Sequence, residues 1–413
     1  MELTRRRFLG AAAALGLAPV PRILLRAAEQ AVKSQDDRVL VVLQLSGGND
    51  GLNTVIPVED DNYYRSRPTL AISKGEALRL KSGSSGTVLA PYAGVDVGLH
   101  PSLKALHELY EEGSVAVVQG VGYPNPSRSH FRSMDIWHTA RPDVEDVTTG
   151  WLGNVVTRHR DKIAALDVGD ERLPLALAGD VQVPSLQNLD WIEHLATDRG
   201  RELRQRLRSL NSASRGGEAE RIRQLATSTL RDLDGIIEVR GKKCPVDYPQ
   251  TQVGSSLKWV GQLIGSGFAS RIYYLSQGGF DTHARQRDAH GALLGMLSEA
   301  LGAFQTHLKA IGAADRVVLL VFSEFGRRVR ENGSQGTDHG VAAPVFVVSG
   351  LVQGGVYGPH PSLEDLDDGD LKSSVDFRQV YAELLTDVLG VPSEPILAGK
   401  FDRIGLLGKV RRI

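Results

Sequence analysis

Acids and histidines cluster in this chain where loops would leave or enter strands. Ser46-Gly47-Gly48-Asn49-Asp50-Gly51-Leu52-Asn53-Thr54 follows one apolar run, and its paired glycines are expected to turn the backbone sharply and leave Asn49 and Asp50 exposed at a strand tip. Gly278-Gly279-Phe280-Asp281-Thr282-His283 follows another run, with an acid two residues before a histidine. Glu324, Phe325, Gly326 and Arg327 follow a third, and NGSQGTDHG (332–340) presents Asp338 and His339 just ahead of a fourth. Ligands of open parallel sheets collect beyond the strand ends, where such loops converge. An acid beside glycine is by itself a turn residue, and a lone histidine a structural one. Taken together, carboxylates on several strand-end loops with imidazoles on two of them predict a discontinuous metal site. Oxygen and nitrogen donors without thiolates suit zinc, manganese, magnesium or calcium.

A fifth segment, VGYPNPSRSHFR (121–132), reads as a loop opening a helix, marked by its prolines and by Phe131, Met134 and Trp137 at helical spacing. Ser127 or Ser129 could serve there as nucleophile, with Arg128 as an anion clamp. Plain helix capping by either serine explains the pattern equally well.

These loops need a sheet to hold them. Five near-continuous apolar runs (38–45, 114–120, 271–277, 316–323 and 343–350) have the character of strands buried on both faces of a parallel sheet. Between them lie helical patterns; Leu294, Leu297, Leu301, Phe304, Leu308 and Ile311 form the clearest apolar stripe. The alternation predicts an α/β fold with a mainly parallel central sheet flanked by helices. Residues 189–240 read as a solvated helical insertion of two helices broken at Ser214–Gly217, with Leu203, Leu207 and Leu210 in the first and Ile222, Leu225 and Leu233 in the second. Residues 79–98 and 352–374 read as surface loops or short strands.

The amino terminus reads as an address. Arg5, Arg6 and Arg7 precede Phe8-Leu9 and a small apolar run, the layout of an export signal, and the arginines before Phe-Leu resemble the twin-arginine type that passes folded proteins through its export machinery. The run from Phe8 to Val20 has 13 residues, short of the roughly 20 that cross a bilayer, so no stable span is expected in the mature chain. Removing residues 1–28 would deliver a domain of residues 38–413 to the periplasm or the exterior. The 413 residues carry 48 basic and 49 acidic side chains, a balance that argues against nucleic acid as partner. A single cysteine, Cys244, excludes an internal disulfide framework and a multi-thiolate zinc site, and reads as a small buried hydrophobe.

GGNDGLNT, YPNPSRSHFRSMDIW, GGFDTH, SEFGR and GTDHG, in that order behind such a signal, resemble the domain of unknown function 1501 family, similar in outline to the alkaline phosphatase and sulfatase superfamily. The resemblance spans roughly residues 38–400. It implies one alkaline phosphatase-like α/β domain that hydrolyses phosphate or sulfate esters, in small anionic molecules or polysaccharides, with a divalent metal such as zinc, calcium or manganese. By that resemblance Asp50, Asp281, His283, Glu324 and His339 hold the ion. Arg128 and Arg327 bind anionic oxygens, Asn49 contributes to the substrate site, and attack comes from Ser129, Ser127 or water. Two positions depart from the pattern. Pro124 stands where sulfatases carry their nucleophile, and Phe325 stands where two-metal phosphatases carry a histidine after the acid. Both departures are what an exported binding or assembly protein that kept the fold and lost the chemistry would show. A serine hydrolase using Ser129 and His130 is a third reading, opposed by the divergence of adjacent side chains at a helix start.

Overall fold

Val39–Leu45 (β1) is buried along its whole length, and its alternate residues serve two separate cores. Val39, Val41, Leu43 and Leu45 face one, Leu40 and Val42 the other. That double burial is why the run is continuously apolar rather than alternating. The computed structural model describes residues 38–80, 96–169, 172–186, 194–210, 234, 237–239 and 243–408. The expected export signal at 1–28 lies outside them, as do the 214–217 break and most of the second expected insertion helix.

The central sheet has eight strands. Besides β1 they are Val115–Gly122 (β2), Ala164–Asp167 (β3), Ser270–Gln277 (β4), Val317–Phe322 (β5), Ala343–Val348 (β8), Gly355–Tyr357 (β9) and Val375–Asp376 (β10); a hairpin of Arg327–Glu331 (β6) and Thr337–His339 (β7) stands apart from it. The order is β9-β2-β8-β5-β1-β4-β3, with β10 also pairing β2. All pairings in this sheet are parallel except those of β8, which runs antiparallel to both β2 and β5. The fold is thus a mixed, mostly parallel sheet flanked by helices. The apolar run 343–350 has the look of a further parallel strand; burial on both faces produces the same composition in either direction, so composition could not set its sense.

One face is covered by Lys104–Glu111 (α1), Gln252–Gly265 (α5) and Gln286–Ala310 (α6). The other carries His130–Thr139 (α2), Trp151–Arg158 (α3) and Phe377–Glu383 (α7). Along α6 the expected stripe from Leu294 to Leu308 is buried, while Ile311 falls just beyond the last turn. Asp198–Leu210 (α4) lies within the stretch expected to be inserted, but Leu203 is exposed and Arg204 buried, so the apolar face read from spacing does not form as expected. Residues 352–374 include short strands, as expected, and Cys244 is half-buried against the core rather than fully enclosed. Among the described residues no helix is long and apolar enough to cross a membrane.

The register of the sheet gathers its loops at one edge. Gln44 pairs with Ser276 on one side and Phe322 on the other, so the loops after β1, β4 and β5 leave together. The loop after β2 leaves at that edge too. Because β8 is antiparallel, it starts there, and the residues just before it join the same group of loops.

Candidate metal centre

The loops meet at Asp281. Its Oδ1 lies 3.0 Å from His283 Nε2, 3.1 Å from His339 Nε2 and 3.5 Å from His130 Nε2, and it accepts a hydrogen bond from Arg327 Nη2 at 2.6 Å. The two Nε2 atoms of His283 and His339 stand 2.9 Å apart. Ligand atoms of His130, Asp281 and His339 all fall within 4.8 Å of one another. Burial opposes ionisation of Asp281, but Arg327 and His339 outweigh it, so the carboxyl is pulled down to about 2.

Each element contributes through its local geometry. Gly47 (φ 120°) brings the β1 tip against the backbone of the Asp281 loop; a Cβ there would sit 2.4 Å from the Asp281 nitrogen. Gly48 (φ 76°) lies under Phe325, whose ring a Cβ would meet at 2.3 Å. In the β6–β7 hairpin His339 pairs with Arg327, which sets the imidazole beside the guanidinium that grips Asp281. Helix α2 begins at His130 and is tied to the β5 tip by Ser133, whose hydroxyl donates to the Glu324 carbonyl at 2.5 Å and lies 2.8 Å from the Tyr123 hydroxyl.

In each imidazole, the nitrogen remote from Asp281 faces an oxygen. His339 Nδ1 lies 2.8 Å from the Arg128 carbonyl, which can only accept, so Nδ1 carries a proton. His130 Nδ1 lies 2.9 Å from Glu324 Oε1, an oxygen that also accepts from the Gly47 amide at 2.9 Å. His283 Nδ1 faces Asp338 Oδ1 at 3.5 Å. In the neutral tautomer these partners fix, the Nε2 lone pairs point inward at one another and at a carboxylate oxygen. Such lone pairs repel unless a proton or a metal ion sits among them, and this is the form in which histidine binds a metal with its outer nitrogen held by carboxylate or carbonyl. The donor set therefore fits a divalent ion. Phe325, buried, packs 4.9 Å from the His130 ring and 4.7 Å from the His339 ring, closing the floor with an apolar surface.

The family described as "Protein of unknown function (DUF1501)" matches residues 37–403. The chain belongs to that family. The family resemblance read from the motifs is thereby met. No curated protein matches the sequence. Solved structures with a similar backbone include a protein in the alkaline phosphatase superfamily from Vibrio parahaemolyticus, 10% identical with a TM-score of 0.38, covering 92% of this chain and 77% of that one. Another is the PsFucS1 sulfatase from Pseudoalteromonas sp., 14% identical, TM-score 0.35, covering 94% and 75%. A third is murine ectonucleotide pyrophosphatase/phosphodiesterase 5 in complex with AMP, 10% identical, TM-score 0.39, covering 86% and 96%.

In this DUF1501 protein Asp281, His283 and His339 come together, and Glu324 lies one layer behind. Fully buried, Glu324 orients His130 instead of facing the cluster. The sequence offers His130 only as a base for Ser129. Its ring is committed to Glu324 and Asp281, which leaves it unsuited to that task; a histidine opening a helix after a loop between strand and helix was the available signal. Asn49 and Asp50 correct the expectation of exposure, since both are buried. Asp50 caps the short helix Gly51–Thr54, and its Oδ2 pairs with Arg67 at 2.6 Å and with Gln286. Burial raises its proton affinity, yet Arg67 and His290 bring the carboxyl below its ordinary value. Asn49 accepts from His290 Nε2 at 2.9 Å, and both residues are buried.

Both expected anion clamps are engaged. Arg327 is buried, donating to the carbonyls of Gly47, Gly48, Phe280 and Thr337 and to Asp281. Arg128 pairs with Asp368 and Asp370. Ser127 Oγ accepts from the Ser129 amide at 3.2 Å, in a local turn. Ser129 occupies the N-cap position of α2 without a side-chain capping bond, and it is exposed. Pro124 is exposed on the same loop.

Proposed function

We propose that this protein is an exported, metal-dependent hydrolase of a phosphate or sulfate ester. The observation that supports it is the convergence of His130, His283 and His339 Nε2 on Asp281 Oδ1, with their outer nitrogens facing Glu324, Asp338 and the Arg128 carbonyl. A bound ion would supply positive charge to the anionic oxygens of the ester as charge develops during transfer. Three imidazoles to one carboxylate suit zinc better than calcium or manganese. Arg327 holds Asp281 ionised and in place, Glu324 holds the His130 tautomer, and Phe325 keeps water from the underside. Ser129, exposed with no capping bond, is the freer of the two serine hydroxyls to attack, and its adjoining helix start offers amide donors to an anion.

In this reading residues 1–28 address the chain to the twin-arginine machinery, and 38–413 form one domain with 189–240 inserted, acting in the periplasm or outside on a small anionic or polysaccharide ester. Aryl phosphate and aryl sulfate esters assayed with zinc, manganese and calcium test it: turnover lost in His339→Ala and Asp281→Ala is expected. A zinc-loaded protein that turns over none of these esters would contradict hydrolysis. That outcome would favour the second reading, a binding or assembly protein, which the engagement of Arg128 and Arg327 by acids and carbonyls supports.

A further inference from the structure

The carbonyl that fixes His339 belongs to Arg128, and the Arg128 side chain is held from the far side of the sequence. Leu366–Asp367 and Asp370–Leu371 pair as a hairpin around Asp368 and Gly369. Both turn residues have positive φ, 50° and 85°, as a type I′ turn requires and as Asp-Gly allows. The turn presents two acids to one guanidinium. Arg128 Nε donates to Asp370 Oδ2 at 2.7 Å, with Nη2 2.5 Å from the same oxygen and 3.0 Å from Asp368 Oδ2. Their surroundings differ sharply: the Asp370 side chain is 1% exposed, that of Asp368 74%.

Asp370 is also incompletely satisfied. Its Oδ1 is buried with no hydrogen-bond partner, and Arg328 Nε stands 3.7 Å away. A buried carboxylate with an oxygen that accepts no hydrogen bond is costly and rare, and a surface ion pair alone gives no reason to keep one. What the carboxylate holds does give a reason, because Arg128 connects it through its own carbonyl to His339 Nδ1 at 2.8 Å. We propose that Asp370 is a positioning residue of the metal centre, anchoring Arg128 so that its carbonyl fixes the tautomer and direction of His339. The proposal rests on the reading of the cluster as a metal site, and it assigns Arg128 to that outer layer instead of to substrate.

Zinc affinity of the full mature protein, measured by chelator competition, tests it together with the visible spectrum of the cobalt-substituted protein, which reports ligand geometry and not stability. Asp370→Asn is expected to raise the zinc Kd about tenfold, the low end for outer-layer partners, and to shift the cobalt bands. Asp368→Asn, removing an exposed partner, is expected to change the Kd by less than about twofold. Arg128→Ala should reproduce the loss, and adding Asp370→Asn to it should weaken binding by less than about a further twofold, since the acid acts through the arginine. Should Asp370→Asn fail to fold, Arg128→Lys keeps the charge, loses the fork to Oδ2 and carries the same expectation. Wild-type affinity and spectrum in the folded variants, or an Asp370→Asn effect undiminished in the Arg128→Ala background, overturns the proposal and leaves the metal site standing. A wild-type protein that binds no zinc overturns the metal reading and the proposal with it.

Discussion

Replacing Glu324 by glutamine isolates the charge behind His130. Oε1 of the buried carboxylate accepts from the Gly47 amide and from His130 Nδ1, each at 2.9 Å. A glutamine carbonyl at the same point accepts both bonds, so shape and the contacts to Gly47 and His130 persist while the negative charge goes; the amide nitrogen then faces the Ser323 hydroxyl that donates to Oε2 at 3.2 Å, a bond that must reverse. Outer partners of metal-bound histidine contribute about 10- to 100-fold in affinity, which corresponds to about 1.4–2.7 kcal/mol. The zinc Kd of Glu324→Gln at neutral pH should rise within that range. The pH dependence carries a second, signed expectation. In the metal-free protein the bond to Glu324 is the main cause that raises the His130 pKa above 6.5. A proton on Nε2 competes with the ion, so wild-type affinity falls as pH drops through the raised value. The variant, its imidazole back near an ordinary pKa, begins that fall at lower pH. The affinity gap should therefore narrow on acidification. Competition titrations with a chromophoric chelator at several pH values, alongside thermal unfolding of both metal-free proteins, measure this. Equal affinity at neutral pH, or a gap that stays constant with pH, would refute the role given to Glu324.

Neighbouring contacts carry expectations of their own. Gly47→Ala, which forces a methyl to within 2.4 Å of the Asp281 nitrogen at a positive φ, should destabilise the protein by at least about 1 kcal/mol and weaken metal binding; denaturant unfolding and zinc titration check both. Asp50→Asn leaves Arg67 buried without its anion, a loss of about 3–5 kcal/mol, yet the folded protein at low temperature should still take up a full complement of metal. Loss of zinc with unchanged stability would return Asp50 to the ligand set. In the metal-free protein Asp281 should titrate near 2, followed by carboxyl carbon NMR. Its lowered pKa gives a stabilising contribution that is complete above the ordinary carboxylate range and lost as pH falls toward that value. Titration at an ordinary carboxylate pKa would show that Arg327 does not reach it in solution.

Much of the sheet was legible because strands covered on both faces must be apolar throughout, and all five such runs are strands. The short Ala164–Asp167 was missed, since four residues with two alanines carry little β signal. The direction of Ala343–Val348 was also hidden, although it matters most for function: only an antiparallel strand starts at the edge where the other loops end, and so delivers His339 to Asp281. Asp281, His283 and His339 were visible because glycines and turns marked them as loop residues beside strands. Glu324 and Asp50 looked the same by that criterion, but their true partners, His130 and Arg67, are set by three-dimensional packing and not by local spacing. Arg327 read as a free cation for the same reason; the carbonyls that occupy it belong to the loops after β1 and β4 and to the paired strand β7.

Zinc K-edge absorption on the purified protein, with its metal content determined in parallel, tests most directly whether the convergence on Asp281 is a metal site. One equivalent of zinc is expected, with about three imidazole nitrogens and one oxygen at about 2.0–2.2 Å, and loss of the imidazole scattering in His339→Ala. Protein that carries no metal after zinc reconstitution, or whose zinc sees only oxygen ligands, would contradict it.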